Sequence, residues 1–192
     1  MEELAHARIG TTFNQYAAGP RAGLLRSRLV VYLGSRADAR ILLVGEAPGY
    51  RGARVSGIPF TSERQLTGSG TAEATATIVH RVLTELELED DVLLWNVVPT
   101  HPGTAKTNRR PTADEVRLGL SFVERLAEGR TVIGVGRVAA TALGVPYARH
   151  PSRGGATAFA ATLAGLTRSV SRGPGLLHSA AGGHRDCRLS ER

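Results

Sequence analysis

Three short apolar runs most constrain what this chain can fold into: Ile41-Leu42-Leu43-Val44, Val92 to Val98, and Thr131 to Val135. Each is too short for a buried helix and nearly continuous in apolar residues, the pattern of a strand covered on both faces. Helical spacing fills the gaps between them. Ile78, Val82 and Leu86 recur at i, i+4 and i+8 within 73–86, and Thr112-Ala113-Asp114-Glu115 is a capping-box pattern opening a helix to about Ala127. An earlier helix over 21–33 would place Leu24, Leu25, Leu29 and Tyr32 on one face. Short helices are expected within residues 1–20, ending before Gly19-Pro20, and over 137–143. A last helix is expected over 156–166, after a fourth short strand at Tyr147 to His150. Strand–helix alternation of this kind predicts an α/β fold, a three-layer α/β/α sandwich on a central, mainly parallel four-stranded sheet.

The chain has 192 residues, enough for one domain, expected over 1–167 and followed by a basic tail, 168–192, expected to be loosely ordered. Apolar residues at 42% and charged residues at 21% describe a globular chain. No run approaches a membrane span, and the start MEELAHARIG lacks the apolar stretch of a secretory signal. A single cysteine, Cys187, excludes a disulfide framework within the chain, a Cys₄ zinc site and a four-cysteine iron–sulfur cluster. His80, His101, His150, His178 and His184 have no metal-ligand spacing, so no cofactor and no metal are expected. The reading is a cytoplasmic protein, monomeric by default. The net charge is +7, and Lys106 is the only lysine, the other basic residues being arginines. That balance makes nucleic acid a natural partner, although GC-rich codon usage also produces an arginine bias.

All the unusual loops (45–71, 96–111 and 149–155) follow strand ends. In parallel sheets ligands bind beyond the carboxyl ends of strands, so these loops are expected to build one site. Gly45-Glu46-Ala47-Pro48-Gly49 brings backbone close to a ligand, but it is neither GxGxxG nor a P-loop. Glu46 is either a pocket carboxylate or a solvated one. Phe60 either stacks on a planar ligand or anchors its loop in the core. The Asn96 amide can donate and accept together, as reading a base edge requires, or it can cap the next turn. His150, in His150-Pro151-Ser152-Arg153-Gly154-Gly155, sits beside a helix start, where it either donates to a developing anion or has a structural role. A zinc deaminase is disfavoured because H-x-E and P-C-x-x-C are absent, and an esterase because G-x-S-x-G is absent.

Taken in order, these segments resemble the uracil-DNA glycosylase superfamily over roughly 40–160. GEAPG at 45–49 resembles the first motif. Pro59-Phe60 resembles the stacking aromatic, and Asn96 in WNVVP the pyrimidine-reading asparagine. NRRPTADE at 108–115 resembles the NRxPTxxE stretch of the iron–sulfur branch, and HPS at 150–152 the second motif. The chain looks like a cluster-free relative of that branch, and GEAPGYRGARVSGIPFTSE resembles a signature of small bacterial glycosylase-like proteins. It departs from the pattern at Ala47, where familiar members carry a water-positioning aspartate. It departs again near Gly49, where their methyl-excluding tyrosine falls.

The resemblance implies a monofunctional DNA glycosylase of base excision repair, associated with a bacterial nucleoid. It would flip uracil from single- or double-stranded DNA and hydrolyse its N-glycosidic bond. The catalytic residues would be His150, donating to uracil O2, and Glu46 at the water, with Glu63 as second candidate. Gly45, Glu46, Ala47, Gly49, Phe60, Asn96 and His150 would bind the base, and Ser152, Arg153, Gly154 and Gly155 the DNA. Open alternatives are a glycosylase for other deaminated bases, a non-catalytic binder of damaged DNA, and an enzyme acting on a free nucleobase or nucleoside.

Overall fold

A computed structural model describes residues 1–171. The elements run α1 (Glu2–His6), α2 (Ala22–Ser35), β1 (Ile41–Gly45), α3 (Ala53–Ser56), α4 (Glu63–Thr67), α5 (Ala74–Glu85), β2 (Val92–Asn96), α6 (Ala113–Ala127), β3 (Thr131–Val135), α7 (Arg137–Leu143), β4 (Tyr147–Ala148) and α8 (Ala156–Ser171). The four strands are wholly parallel, in the order β2-β1-β3-β4. Every residue of β1 and β2 is buried, which explains their unbroken apolar runs.

Alternate strand residues feed two separate cores. Leu42, Val44, Leu93 and Trp95 pack with Leu25 and Leu29 of α2, Phe122 and Val123 of α6, and Ala139 of α7. Ile41, Leu43, Val92, Leu94 and Ile133 pack with Val79, Val82 and Leu83 of α5 and Phe159 and Leu163 of α8. The fold is therefore the expected three-layer α/β/α sandwich. The capping box at Thr112 forms as the sequence predicts, with Glu115 N–H donating to Thr112 Oγ1 at 3.2 Å and Thr112 N–H to Glu115 Oε2 at 2.9 Å.

Several expectations need correction. The N-terminal helix covers only Glu2–His6, and Ile9 to Tyr16 instead run irregularly against the loop after β2. Leu24 is 48% exposed, because α2 turns Ala22, Leu25 and Leu29 inward and Leu24 out. The 45–71 loop contains α3 and α4. β4 stops at Ala148, so Arg149 and His150 are free of the ladder. α8 continues to Ser171, past the expected start of the tail at 168. The rest of that tail lies outside the described residues.

Strand order also locates a site. β1 connects to β2 on one side, and β3 lies on the other, so the connections diverge between the carboxyl ends of β1 and β3. Open α/β sheets bind ligands in the crevice formed at that divergence.

Candidate nucleobase site at the strand ends

A cleft of ≈ 640 Å³ opens at this point. Glu46, Ala47, Pro48 and Gly49 line it from the β1 end, Val135 and Gly136 from the β3 end, and His150, Ser152 and Arg153 from the segment after β4. A larger groove of ≈ 850 Å³, lined by Met1, Ala5, Ala17, Val30 and Val31 among others, takes no residue from a strand end. The smaller cleft is the one with chemistry at its wall.

The β1 and β2 ends are built by close packing. Gly45 pairs with Asn96 across the ladder, and the Phe60 ring lies against both. A Cβ at Gly45 would stand 2.3 Å from Phe60 Cζ and 2.8 Å from Asn96 Oδ1, so only glycine fits there. Phe60 is 9% exposed and Asn96 4%. The Asn96 side-chain amide makes no hydrogen bond among the described residues. Neither its oxygen nor its nitrogen is wholly buried, so on this largely buried residue the amide tip is open to solvent and free to pair with a ligand or a water.

Phe60 also has a left-handed backbone, with φ of 52°. For a bulky residue this is a true outlier, costing roughly 1–3 kcal/mol, and it persists only where neighbours enforce it. They do so here. The buried Ser56 hydroxyl donates to the Thr61 carbonyl at 2.6 Å and accepts from Ile58 N–H at 3.1 Å. Thr61 Oγ1 donates to the Pro59 carbonyl at 3.1 Å and lies 3.0 Å from His80 Nε2. Tyr16 Oη donates to the Gly57 carbonyl at 2.9 Å, fixing the preceding turn.

His150 stands on the opposite wall, half-buried beside Gly136. Its Nδ1 accepts from Ser152 N–H at 3.2 Å and lies 2.8 Å from Ser152 Oγ. Burial lowers its pKa, favouring the neutral ring. Because a backbone N–H occupies Nδ1, the neutral ring carries its proton on Nε2. Glu46 is half-buried, and burial raises its pKa while the Arg110 charge opposes the shift.

The two loops of the first wall are tied together through His101, which is fully buried. Its Nδ1 is 2.7 Å from the Pro48 carbonyl and its Nε2 2.8 Å from the Thr104 carbonyl. Asn108 Oδ1 accepts from Tyr50 N–H at 2.8 Å. Arg109 donates to both oxygens of the buried Glu115, at 2.6 and 2.7 Å, and Glu115 also accepts from Thr11 N–H at 3.1 Å. The Arg109 bonds hold the Glu115 carboxyl down at about 2. Its stabilisation is thus complete above the ordinary carboxylate range and fades as pH falls toward 2.

The residues expected at the site divide into groups. Gly45, Phe60 and Asn96 come together in a buried nook. Glu46, Ala47, Gly49, His150, Ser152 and Arg153 line the open cleft beside it. Gly155, expected to meet DNA, is buried instead: a Cβ there would fall 2.1 Å from the His150 carbonyl, so it packs the turn beneath the histidine. Gly154 is exposed with a φ of 75°. Glu63, the second candidate for the water, is bound to Arg28 at 2.8 Å and Arg21 at 3.0 Å and lines no part of the cleft. Arg28 chiefly depresses its pKa, so it is a structural carboxylate. The sequence reading missed Arg110, Arg137 and Arg149, which line the cleft and form no ion pair within 4 Å among the described residues. Their signal was the arginine excess itself, which carries no position.

The sequence model of a known family, the uracil DNA glycosylase superfamily, matches residues 26–171. The chain belongs to that superfamily. It is 32% identical over 136 residues to a type-5 uracil-DNA glycosylase of Thermus thermophilus, an alignment covering 62% of this chain and 58% of the relative. The chain thus spans less than two thirds of that relative's length. Among solved structures it resembles Pedobacter heparinus SMUG2, with a TM-score of 0.65 at 12% identity over 89% of this chain and 96% of the other. At that identity the likeness concerns the fold. Superfamily membership gives the strand-end cleft its context.

Proposed function

We propose that the protein is a DNA glycosylase that extrudes uracil from DNA and hydrolyses its N-glycosidic bond. The observation that carries this reading is the unpaired Asn96 amide, open to solvent on an otherwise buried residue, beside the Phe60 ring. An aromatic face with an amide at its edge is suited to a planar heterocycle with both a donor and an acceptor. A base inside a duplex presents neither its face nor its glycosidic bond, so it must leave the stack. Stacking on Phe60 returns about 1–3 kcal/mol of the extrusion cost. Asn96 donates to O4 and accepts from N3–H of uracil. With cytosine it would face an amino group and a bare nitrogen, leaving its own groups unpaired.

Bond breaking sends the electron pair of the C1′–N1 bond to the base and leaves positive charge on the sugar. The neutral His150 Nε2–H donates to O2, where the negative charge gathers. One preorganised donor of this kind contributes roughly 3–4 kcal/mol. Water then adds its oxygen to C1′, and its proton passes through Glu46 or solvent to the departing base. Ala47 carries no carboxylate, which leaves Glu46 as the acid nearest this task. Arg110, Arg137, Arg149 and Arg153 take the DNA phosphates, so binding weakens steeply as salt rises.

Single-turnover incubation with end-labelled, uracil-containing single strands and duplexes, followed by alkali, tests the reading. Strand breaks at uracil in the wild type, lost in His150→Ala, support it. Intact strands with tight binding indicate a non-catalytic binder. Breaks only at hypoxanthine or xanthine indicate another base.

A further inference from the structure

We propose that the lip of the cleft formed by Phe13, Tyr50, Arg51 and Arg54 is a stacking platform for unpaired bases next to the extruded nucleotide. The site therefore favours single-stranded over duplex DNA. This rests on the reading of the cleft as a nucleobase site.

The lip carries an aromatic exposure that the core does not require. Phe13 is 46% exposed although large and apolar. The Arg54 guanidinium lies over its ring, 4.9 Å from the centroid, and the Arg51 guanidinium lies over Tyr50 at 5.3 Å. Neither guanidinium meets a carboxylate within 4 Å or donates a hydrogen bond among the described residues, and Arg54 Nε is buried without an acceptor. Other arginines are neutralised, as Arg28 is by Glu63 and Arg40 by Asp91, while Arg110, Arg137 and Arg149 of the cleft are unpaired like these two. Here two uncompensated charges sit on two aromatic faces.

The lip is also joined to the cleft wall by short bonds. Arg54 N–H donates to the Gly49 carbonyl at 3.3 Å, so Tyr50, Arg51 and Arg54 share one tight turn after Gly49. Phe13 exchanges both backbone hydrogen bonds with His101, at 2.8 and 2.9 Å, and His101 bonds the Pro48 carbonyl. Gly49 and Pro48 themselves line the cleft. A nucleotide seated in the cleft thus has its neighbours leaving across this lip. Alternating ring and guanidinium planes match alternating base and phosphate, the arrangement that binds single strands. A duplex keeps its base faces stacked inside and cannot use the rings.

The test compares the ratio of single-strand to duplex excision for the wild type, Phe13→Ala, Tyr50→Ala and Phe13→Trp. A variant that folds poorly loses both rates and keeps the ratio, so the ratio isolates stacking. The expected result is a drop of at least about fivefold in the ratio for each alanine variant, the loss of one stacked base, with Phe13→Trp retaining the wild-type ratio. An unchanged ratio in alanine variants that unfold at the wild-type temperature overturns the proposal. The same ratio, measured as Kd for a uracil-free thymidine 12-mer and a duplex of equal length, separates the two readings. If the wild type releases no uracil, the proposed function fails while the Kd ratio still decides the lip.

Discussion

The buried nook at the β1 and β2 ends and the open cleft wall beyond β4 are made in opposite ways. At the β1 and β2 ends, Gly45, Phe60 and Asn96 are buried, in contact, and enforced by Ser56, Thr61 and Tyr16. Beyond β4, His150 sits half-buried on an exposed turn, Ser152-Arg153-Gly154, and Arg153 has a φ of 52°. A wall that reads a base by shape and by unpaired polar groups gains from rigidity, because a misfit is punished only if the site cannot adjust. A wall that must meet a moving backbone and then a developing charge needs its donor fixed but its surroundings accessible. The Ser152 N–H to Nδ1 bond fixes the imidazole proton, while the turn remains at the surface.

The sharpest break of this contrast is His150→Ala. It should lower single-turnover excision about 10²- to 10³-fold while DNA affinity, read by fluorescence anisotropy, changes less than about threefold. Equal losses in both would make His150 a structural residue. Next is Gly45→Ala, which drives a methyl into Phe60 and Asn96. Displacing a reader by about 1 Å costs roughly 10²-fold in rate. The overpacking also costs about 1–3 kcal/mol in stability, visible as a lower Tm. Retained activity would show that the first wall yields, contrary to this account.

Ser56→Ala acts on the same wall at one remove. Without the hydroxyl, the left-handed Phe60 loses its main restraint, and uracil-over-cytosine preference should fall about tenfold at the cost of one buried hydrogen bond. The smallest effect concerns acid pH. Protonation removes the Glu46 base above the ordinary carboxylate range, because burial raises its pKa, and activity declines from there downward. Glu46→Gln should lower the rate modestly and erase that acid limb in a pH–rate profile; an unchanged limb assigns it to another group.

Much of the architecture was legible in the sequence because it depends on local pattern. Ile41–Val44 and Val92–Asn96 read as doubly covered strands, and their burial on both faces is the cause of that reading. The meeting of Glu46 and His150 in one cleft followed from placing each after a strand end, whereas Asn96 lies in the nook beside it. What stayed hidden depends on contacts between distant segments. Nothing local marks Ser56 as the enforcer of Phe60, or His101 as the tie between Pro48 and Thr104. Glu63 stood as the second candidate for the water because nothing local shows its partners, Arg21 and Arg28, which lie on another helix or at its edge. Gly155 was expected to meet DNA, but its lack of a side chain is required by the His150 carbonyl above it. Leu24 misled because α2 is apolar on more than one face, so spacing alone could not choose the buried one.

The central claim is that one wall holds the base and the other receives its charge. Its most direct test is a crystal structure with DNA containing 2′-fluoro-2′-deoxyuridine, whose glycosidic bond resists cleavage. The account predicts an extruded uracil stacked on Phe60, with N3 and O4 on the Asn96 amide and O2 within hydrogen-bond distance of His150 Nε2. A uracil still stacked in the DNA, or seated in the cleft without contact to Asn96, would contradict it.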